Sequence, residues 1–271
     1  MKILIIPDVH SRKFWRKTIS DNADKVEKIV FLGDYLDPYP GEIKENPELM
    51  ECKDFYDSYS NLNMLNDIIS LKKDEPNKYV LLTGNHSDSY IWSKFAAATR
   101  TDYKNWEKYH KFFSENLEYF NMVYTQENVI FSHAGISEGW ARKFLETYMQ
   151  YEESALEGIS YIKECAEVLR DTLLKDFNKY YIEAISNIST YRCGDSFYGS
   201  CEWADLREHI EKIISYKNNT FIGKGESGTF QVFGHTQLIN KPLICDKWAC
   251  LDCRRGFIIN TLTHEIEECQ I

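Results

Sequence analysis

Short apolar runs separated by polar turns and by stretches of helical spacing order the first half of the chain. Residues 2–7, 28–32 and 78–82 are runs of the kind that predict buried strands. Residues 13–22 predict a short helix, and residues 48–73 a long one, with Leu62, Leu65, Ile68 and Ile69 on its apolar face. The resulting β-α-β-α-β order implies parallel pairing and right-handed crossovers, and hence an α/β fold. Residues 103–118 predict another helix, and residues 119–125 and 128–132 two strands about the turn Gln126-Glu127-Asn128. From Glu138 to about Tyr216 the spacing is mostly helical, in WARKFLETYMQ, YIKECAEVLRDTLLKDF and ADLREHIEKIISY, with an irregular stretch at YRCGDSFYGSCEW. The tail returns to short strands in TFQVF, PLIC and FIINTLT. No repeat, low-complexity tract or Pro/Ser-rich linker divides the chain, so residues 1–271 read as a single domain with a helical insertion or cap at 137–219. Pro38-Tyr39-Pro40-Gly41, followed by charged residues, predicts a mobile loop.

Composition narrows the function classes. The chain carries 32 Lys and Arg against 42 Asp and Glu, a net charge of −10, which argues against nonspecific nucleic-acid binding. An anionic substrate stays open, because bound metal ions reverse the local field. No secretory leader opens the sequence, and no apolar run approaches the roughly 18 residues of a membrane span. Eight scattered cysteines then read as reduced thiols, and the expectation is a cytoplasmic protein with no membrane association. The pattern sets no oligomeric state.

The candidate chemistry lies in five polar clusters that directly follow apolar runs: Asp8-Val9-His10, Gly33-Asp34-Tyr35-Leu36-Asp37, Gly84-Asn85-His86, Ser132-His133-Ala134-Gly135 and Gly234-His235-Thr236. Strand ends in α/β sheets are where ligands bind. Asp, Asn and His at five such ends read as a two-metal site for phosphoryl chemistry. Asp8 and His10, two apart, can reach one ion, and Asp34 suits a bridging carboxylate. Asn85 offers an amide oxygen, and His133 and His235 offer imidazoles. Oxygen and nitrogen donors without sulfur favour two divalent ions, manganese first, with iron or zinc as alternatives. A metal-bridging hydroxide would attack phosphorus in line. His86 is then a candidate general acid, with Asp37 holding its imidazolium.

In that order, DVH, GDYLD, GNH, SHAG and GHT resemble the calcineurin-like metallophosphoesterase superfamily, from Asp8 to about Asp252. Within it the chain looks most like the branch of phosphoprotein phosphatases and symmetrical diadenosine tetraphosphatases. The resemblance implies a sandwich of two mixed β-sheets flanked by helices. It implies Asp8, His10 and Asp34 on one metal and Asp34, Asn85, His133 and His235 on the other, with Asp252 supporting the site. Gln237 stands where many phosphodiesterases carry a second metal-binding His. Pro38-Tyr39 stands where the similar branch has Arg-Gly, so a phosphate-binding arginine must come from elsewhere. Arg192, Arg207, Arg254 and Arg100 are candidates; Arg207, in WADLRE, and Arg192 are taken as the substrate-binding pair.

Plainer readings stand beside these. Taken singly, Asp8 or Asp34 would be a strand-end turn former, but five such ends in order favour ligation. His86 has the alternative of orienting Asp37 without donating a proton. Cys250 and Cys253, near Cys245, supply only half of a usual zinc set and read as ordinary thiols. The expected activity is dinuclear-metal hydrolysis of phosphomonoesters, including phosphoserine or phosphothreonine in proteins. The alternative substrates are diadenosine tetraphosphate or another phosphoanhydride or diester. A non-catalytic metal-binding interaction protein is the third reading.

Overall fold

The computed structural model describes residues 1–92, 98–152, 160–209, 229–238 and 241–270. The first three predicted strands form as β1 (Lys2–Ile6), β2 (Lys28–Phe31) and β3 (Tyr79–Leu82), parallel and adjacent. Between them run α1 (Phe14–Asn22), α2 (Pro40–Glu45) and α3 (Ser58–Asp74). After β3 come α4 (Asn85–Ile91), α5 (Trp106–Asn116) and β4 (Phe120–Asn121), then the hairpin of β5 (Val123–Gln126) and β6 (Val129–Ser132). The helical segment holds α6 (Glu138–Lys143), α7 (Tyr161–Asp171) and α8 (Lys179–Ile185). The tail contributes β7 (Phe230–Phe233), β8 (Leu243–Ile244), β9 (Trp248–Cys250), β10 (Phe257–Asn260) and β11 (Ile266–Glu268).

These strands make two mixed sheets, ordered β11-β10-β1-β2-β3-β4 and β5-β6-β7-β9-β8. Each sheet is buried on the face it turns to the other. Ile3, Ile5, Val30 and Leu82 of the first meet Val129, Phe131, Phe230 and Val232 of the second. The alternate residues Leu4, Ile6, Phe31 and Leu81 pack outward against Trp15, Met64, Leu65 and Phe113 of the helices. Burial on both faces explains why KILII and YVLL are continuous apolar runs instead of alternating ones. Residues of α6, α7 and α8, among them Trp140, Cys165, Leu169 and Ala184, share this outer core with Val123 and Ile130 of the hairpin.

Three expectations are corrected. The helix predicted from residue 48 begins at Ser58, because Asp57 caps it by accepting from the Ser60 N–H. The preceding residues pair instead with the loop after β1, through Lys13 N–H to Leu49 O at 2.8 Å and Glu51 N–H to Ser11 O at 2.7 Å. The strand predicted over residues 119–125 divides at Met122: β4 joins the first sheet beside β3, and β5 joins the second beside β6. The loop predicted at Pro38–Gly41 runs into α2, with Pro40 in its first turn. Glu42 of α2 ties it down, accepting from Arg12 Nε at 2.6 Å and pairing with Arg254 at 2.6 Å. The helix predicted over ADLREHIEKIISY starts at Leu206, and its remainder lies outside the described residues, as does the predicted end of the insertion at residue 219. β9 and β11 were not foreseen.

Candidate active site

Parallel pairing sets which ends face the same way. Asp8, Asp34 and Asn85 follow β1, β2 and β3, which are parallel neighbours in one sheet. His133 and His235 follow β6 and β7, parallel neighbours in the other, and Asp252 follows β9, parallel to β7. Six carboxyl ends therefore open on one edge of the sandwich. Both oxygens of Asp8 accept from the His235 backbone N–H, at 3.0 and 3.1 Å, which joins the two sheets there. Gly84 and Gly234 leave the necessary space: a Cβ on them would lie 2.4 Å from Asp34 Oδ1 and 2.1 Å from Asp8 Oδ1. Left-handed backbone, uncommon for non-glycine residues and often found at functional sites, recurs here at His10 (φ 43°), Asp34 (47°), Asp37 (59°), Arg100 (68°) and His235 (63°).

The imidazoles are oriented by backbone carbonyls. Nδ1 of His10 lies 2.7 Å from Leu36 O, and Nδ1 of His133 lies 2.9 Å from Leu32 O. A carbonyl only accepts, so both Nδ1 atoms carry hydrogen, and the Nε2 atoms are the ones turned inward and available to ligate. Those two Nε2 atoms stand 3.5 and 3.4 Å from the same oxygen, Asp34 Oδ2. His133 Nε2 is also 3.0 Å from Asn85 Oδ1 and 3.1 Å from His235 Nδ1. Two groups able to hold a cation result, His10 with Asp34 and His86, and Asp34 with His133 and His235, each with its donor atoms within 4.8 Å. They share Asp34.

The electrostatics ask for cations at this place. Burial pushes Asp8 up to about 8, with neighbouring Asp34 adding to it. Burial also works against ionised Asp34, but the facing His133 and His86 and the bond from the His86 backbone N–H outweigh it and hold that carboxyl low. Asp252 is pushed well up, by burial first and then by Asp8, and its Oδ1 has no partner among the described residues. Burial drives His10 and His235 well below the ordinary histidine value, which keeps them neutral and able to ligate. Buried carboxylates and converging lone pairs, all oxygen or nitrogen, fit divalent metal ions.

Beside this cluster His86 places Nδ1 2.7 Å from Asp37 Oδ2, and its ring meets that of His10 edge to face at 4.9 Å. Asp37 Oδ1 accepts from the Tyr90 hydroxyl at 2.5 Å. Burial raises Asp37, partly offset by the bonds from His86 and Tyr90. Tyr90 escaped the sequence reading because it lies in α4 four residues past His86, beyond the polar cluster itself. Arg12 escaped it too; buried, it donates to Asp8 O at 3.1 Å and grips Glu42 with two nitrogens.

The two arginines chosen for substrate do not come free to the site. Arg207 is 56% exposed, pairs with Asp205 at 2.7 Å and donates to Tyr191 O. Arg192 reaches the back of the last motif, 2.8 Å from Thr236 Oγ1, but pairs with the same Asp205 at 2.8 Å. Among the described residues of the segment, the irregular stretch after α8 touches the last motif through Arg192, and Leu206, where the next helix starts, donates its N–H to Thr236 Oγ1 at 3.3 Å. Arg254 pairs with Glu42 and faces the Gln237 amide oxygen. Arg100 lies beside the cluster, with Nη2 3.4 Å from His86 Nε2. All eight cysteines are free, and among the described residues none joins a group that could hold a metal. No described helix is long and apolar enough to cross a membrane.

Comparison with known proteins follows the same lines. The sequence matches the calcineurin-like phosphoesterase family over residues 1–237. A cold-active protein-tyrosine phosphatase of the psychrophile Shewanella sp. shares the fold, with a TM-score of 0.53 at 15% identity over 99% of this chain and 80% of that one. So does a protein serine/threonine phosphatase from Saccharomyces cerevisiae, with a TM-score of 0.50 at 12% identity over 100% of this chain and 80% of that one. No curated protein sequence matches. Because the family match runs through every strand-end cluster from Asp8 to His235, the chain belongs to the calcineurin-like phosphoesterases, metal-dependent hydrolases of phosphate esters.

Proposed function

We propose that the protein is a dinuclear-metal phosphatase acting on phosphomonoesters, phosphoserine or phosphothreonine in proteins among them. The observation that carries this reading is the sharing of Asp34 by two candidate ligand groups, with the His86–Asp37 pair beside them. Two divalent ions, manganese before iron or zinc, would neutralise phosphoryl oxygens and render water acidic enough to react at neutral pH. Asp8, His10 and Asp34 would hold one ion. Asp34, Asn85, His133 and His235 would hold the other. The Leu32 and Leu36 carbonyls fix the ring tautomers that this requires. His86, its Nδ1 held by Asp37, keeps Nε2 beside the cluster, where a proton would pass to the leaving oxygen. Asp37 stabilises the charged ring that donates it.

Gln237 supports a monoester substrate: its amide faces Arg254 and adds no imidazole to the cluster. The names of the two fold neighbours, both protein phosphatases, agree with a phosphoprotein substrate. The test is Mn²⁺-dependent hydrolysis of an aryl phosphomonoester and of the matching diester by metal-stripped protein. Preference for the monoester is expected, and Asp34→Asn should lower it more than about a hundredfold, beyond what loss of a ligand's supporting bond costs. Preference for the diester would turn the reading toward nucleotide substrates. No turnover with two metals bound would leave a binding protein.

A further inference from the structure

We infer that Arg100 is the residue that grips the substrate's phosphoryl group, held over the site by the ring of Tyr39. The inference rests on the phosphatase reading and supplies what that reading lacks, a cation free to meet a dianion.

Among the described residues, every arginine except Arg100 has a carboxylate within ion-pair distance. Arg12 and Arg254 share Glu42, and Arg192 and Arg207 share Asp205. Arg16, Arg142, Arg170 and Arg255 have surface partners of their own. To hold a phosphoryl group, Arg12, Arg254 or Arg192 would first have to break a charge-assisted bond, the strong kind. Arg100 gives up no carboxylate: its Nε donates to Asp37 O at 3.2 Å, its Nη1 stands 3.5 Å from Thr99 Oγ1, and its Nη2 stands 3.4 Å from His86 Nε2.

Its position is built. The guanidinium carbon lies 3.7 Å from the centroid of the Tyr39 ring, close for a cation over an aromatic face. That ring meets His10 edge on at 5.3 Å, so Arg100, Tyr39 and His10 form a line from the rim to the ligand cluster. The backbone beside Arg100 is fastened to the same group that orients His86. The Asp102 N–H donates to the Tyr90 hydroxyl at 2.8 Å, and that hydroxyl donates to Asp37. Arg100 itself holds a left-handed backbone, φ 68°, a conformation rarely kept by a non-glycine residue without reason. A planar guanidinium set between His86 and the face of Tyr39 suits two oxygens of one phosphoryl group. Tyr39 contributes a surface in this arrangement, and Arg100 the charge.

The experiment is calorimetric titration of the Mn²⁺-loaded protein with inorganic phosphate, with metal content measured in parallel. Arg100→Gln keeps a donor for the Asp37 carbonyl but removes the charge, so it separates a grip from a loop-holding role. It is expected to weaken phosphate at least tenfold while two metals per chain remain. Arg100→Lys should recover part of the loss, and Tyr39→Leu should weaken phosphate several-fold with Arg100 present. Phosphate affinity unchanged in Arg100→Gln, with monoester turnover intact in the wild type, overturns the Arg100 assignment and spares the phosphatase reading. Phosphate bound by the wild type and lost in Arg100→Gln, with no ester hydrolysed by either, sinks the phosphatase reading and leaves Arg100 as an anion-binding residue.

Discussion

Replacing Tyr90 with Phe removes one hydroxyl and leaves the ring. The ring is fully buried, stacked on Phe113 and edge on to Tyr109, so no cavity larger than the lost oxygen opens. The hydroxyl serves two buried partners, donating to Asp37 Oδ1 at 2.5 Å and accepting from the Asp102 N–H at 2.8 Å. Its loss takes a charge-assisted bond from a carboxylate, about 1.5–3 kcal/mol, and strands a buried N–H, about 1–3 kcal/mol, with some relaxation offsetting the sum. The expected destabilisation is about 3 kcal/mol, measured by urea unfolding of the metal-loaded protein. Asp37 then keeps a side-chain partner only in His86, and the pair loses part of its fixed orientation. Turnover of an alkyl phosphate should fall about tenfold, near the low end for a supporting hydrogen bond. Metal content should stay at wild-type level, because neither Asp37 nor His86 is among the proposed ligands Asp8, His10, Asp34, Asn85, His133 and His235. A stability change below about 0.5 kcal/mol, the ordinary range for an unimportant site, would refute the reasoning. So would metal loss in step with activity.

Three further outcomes are expected. His86→Gln should lower turnover of an alkyl phosphate by about a hundredfold and that of 4-nitrophenyl phosphate far less, because nitrophenolate leaves without a proton; equal losses on both would argue that His86 serves structure. Gly234→Ala should abolish metal binding, since its Cβ would sit 2.1 Å from Asp8 Oδ1, whereas Gly41→Ala, with nothing within 4 Å, should bind metal normally in the same equilibrium dialysis. Glu202 is buried beside Asp88, accepts from Thr83 at 2.9 Å, and is raised well above the usual carboxyl value by burial first and Asp88 second. A raised carboxyl contributes stability below its unfolded value and loses it as pH rises toward the folded one, at up to about 1.4 kcal/mol per pH unit. Glu202→Gln removes that slope, so the metal-free variant should gain on the wild type between pH 5 and 9 in urea unfolding; parallel pH profiles would contradict it.

The sequence by itself determined where the chemistry is concentrated. Strand formation in KILII, KIVFL and YVLL depends on local apolar runs, and the polar residues that follow are bound to stand at strand ends. Alternation of strands with helices made the pairing parallel, which turned those ends to one edge. Asp8, Asp34 and Asn85 were therefore legible together from the pattern, and His133 and His235 joined them through the order of the motifs. The two-sheet arrangement itself was legible only through the resemblance of the ordered motifs.

Tertiary structure decided what depends on distant partners. The chain changes sheets at Met122 because β4 finds its neighbour in β3 and β5 in β6, a choice no local pattern encodes. Helix α3 starts at Ser58 because residues 49–51 spend their backbone groups on the loop after β1. The same limit governed the arginines. Arg192, Arg207 and Arg100 look alike in sequence, and whether each is free to meet an anion is fixed by the carboxylate beside it. Asp205 neutralises the first two, while Arg100 rests on the face of Tyr39. Charge compensation acts through space at a few ångströms, between residues far apart along the chain, so only the fold could assign it.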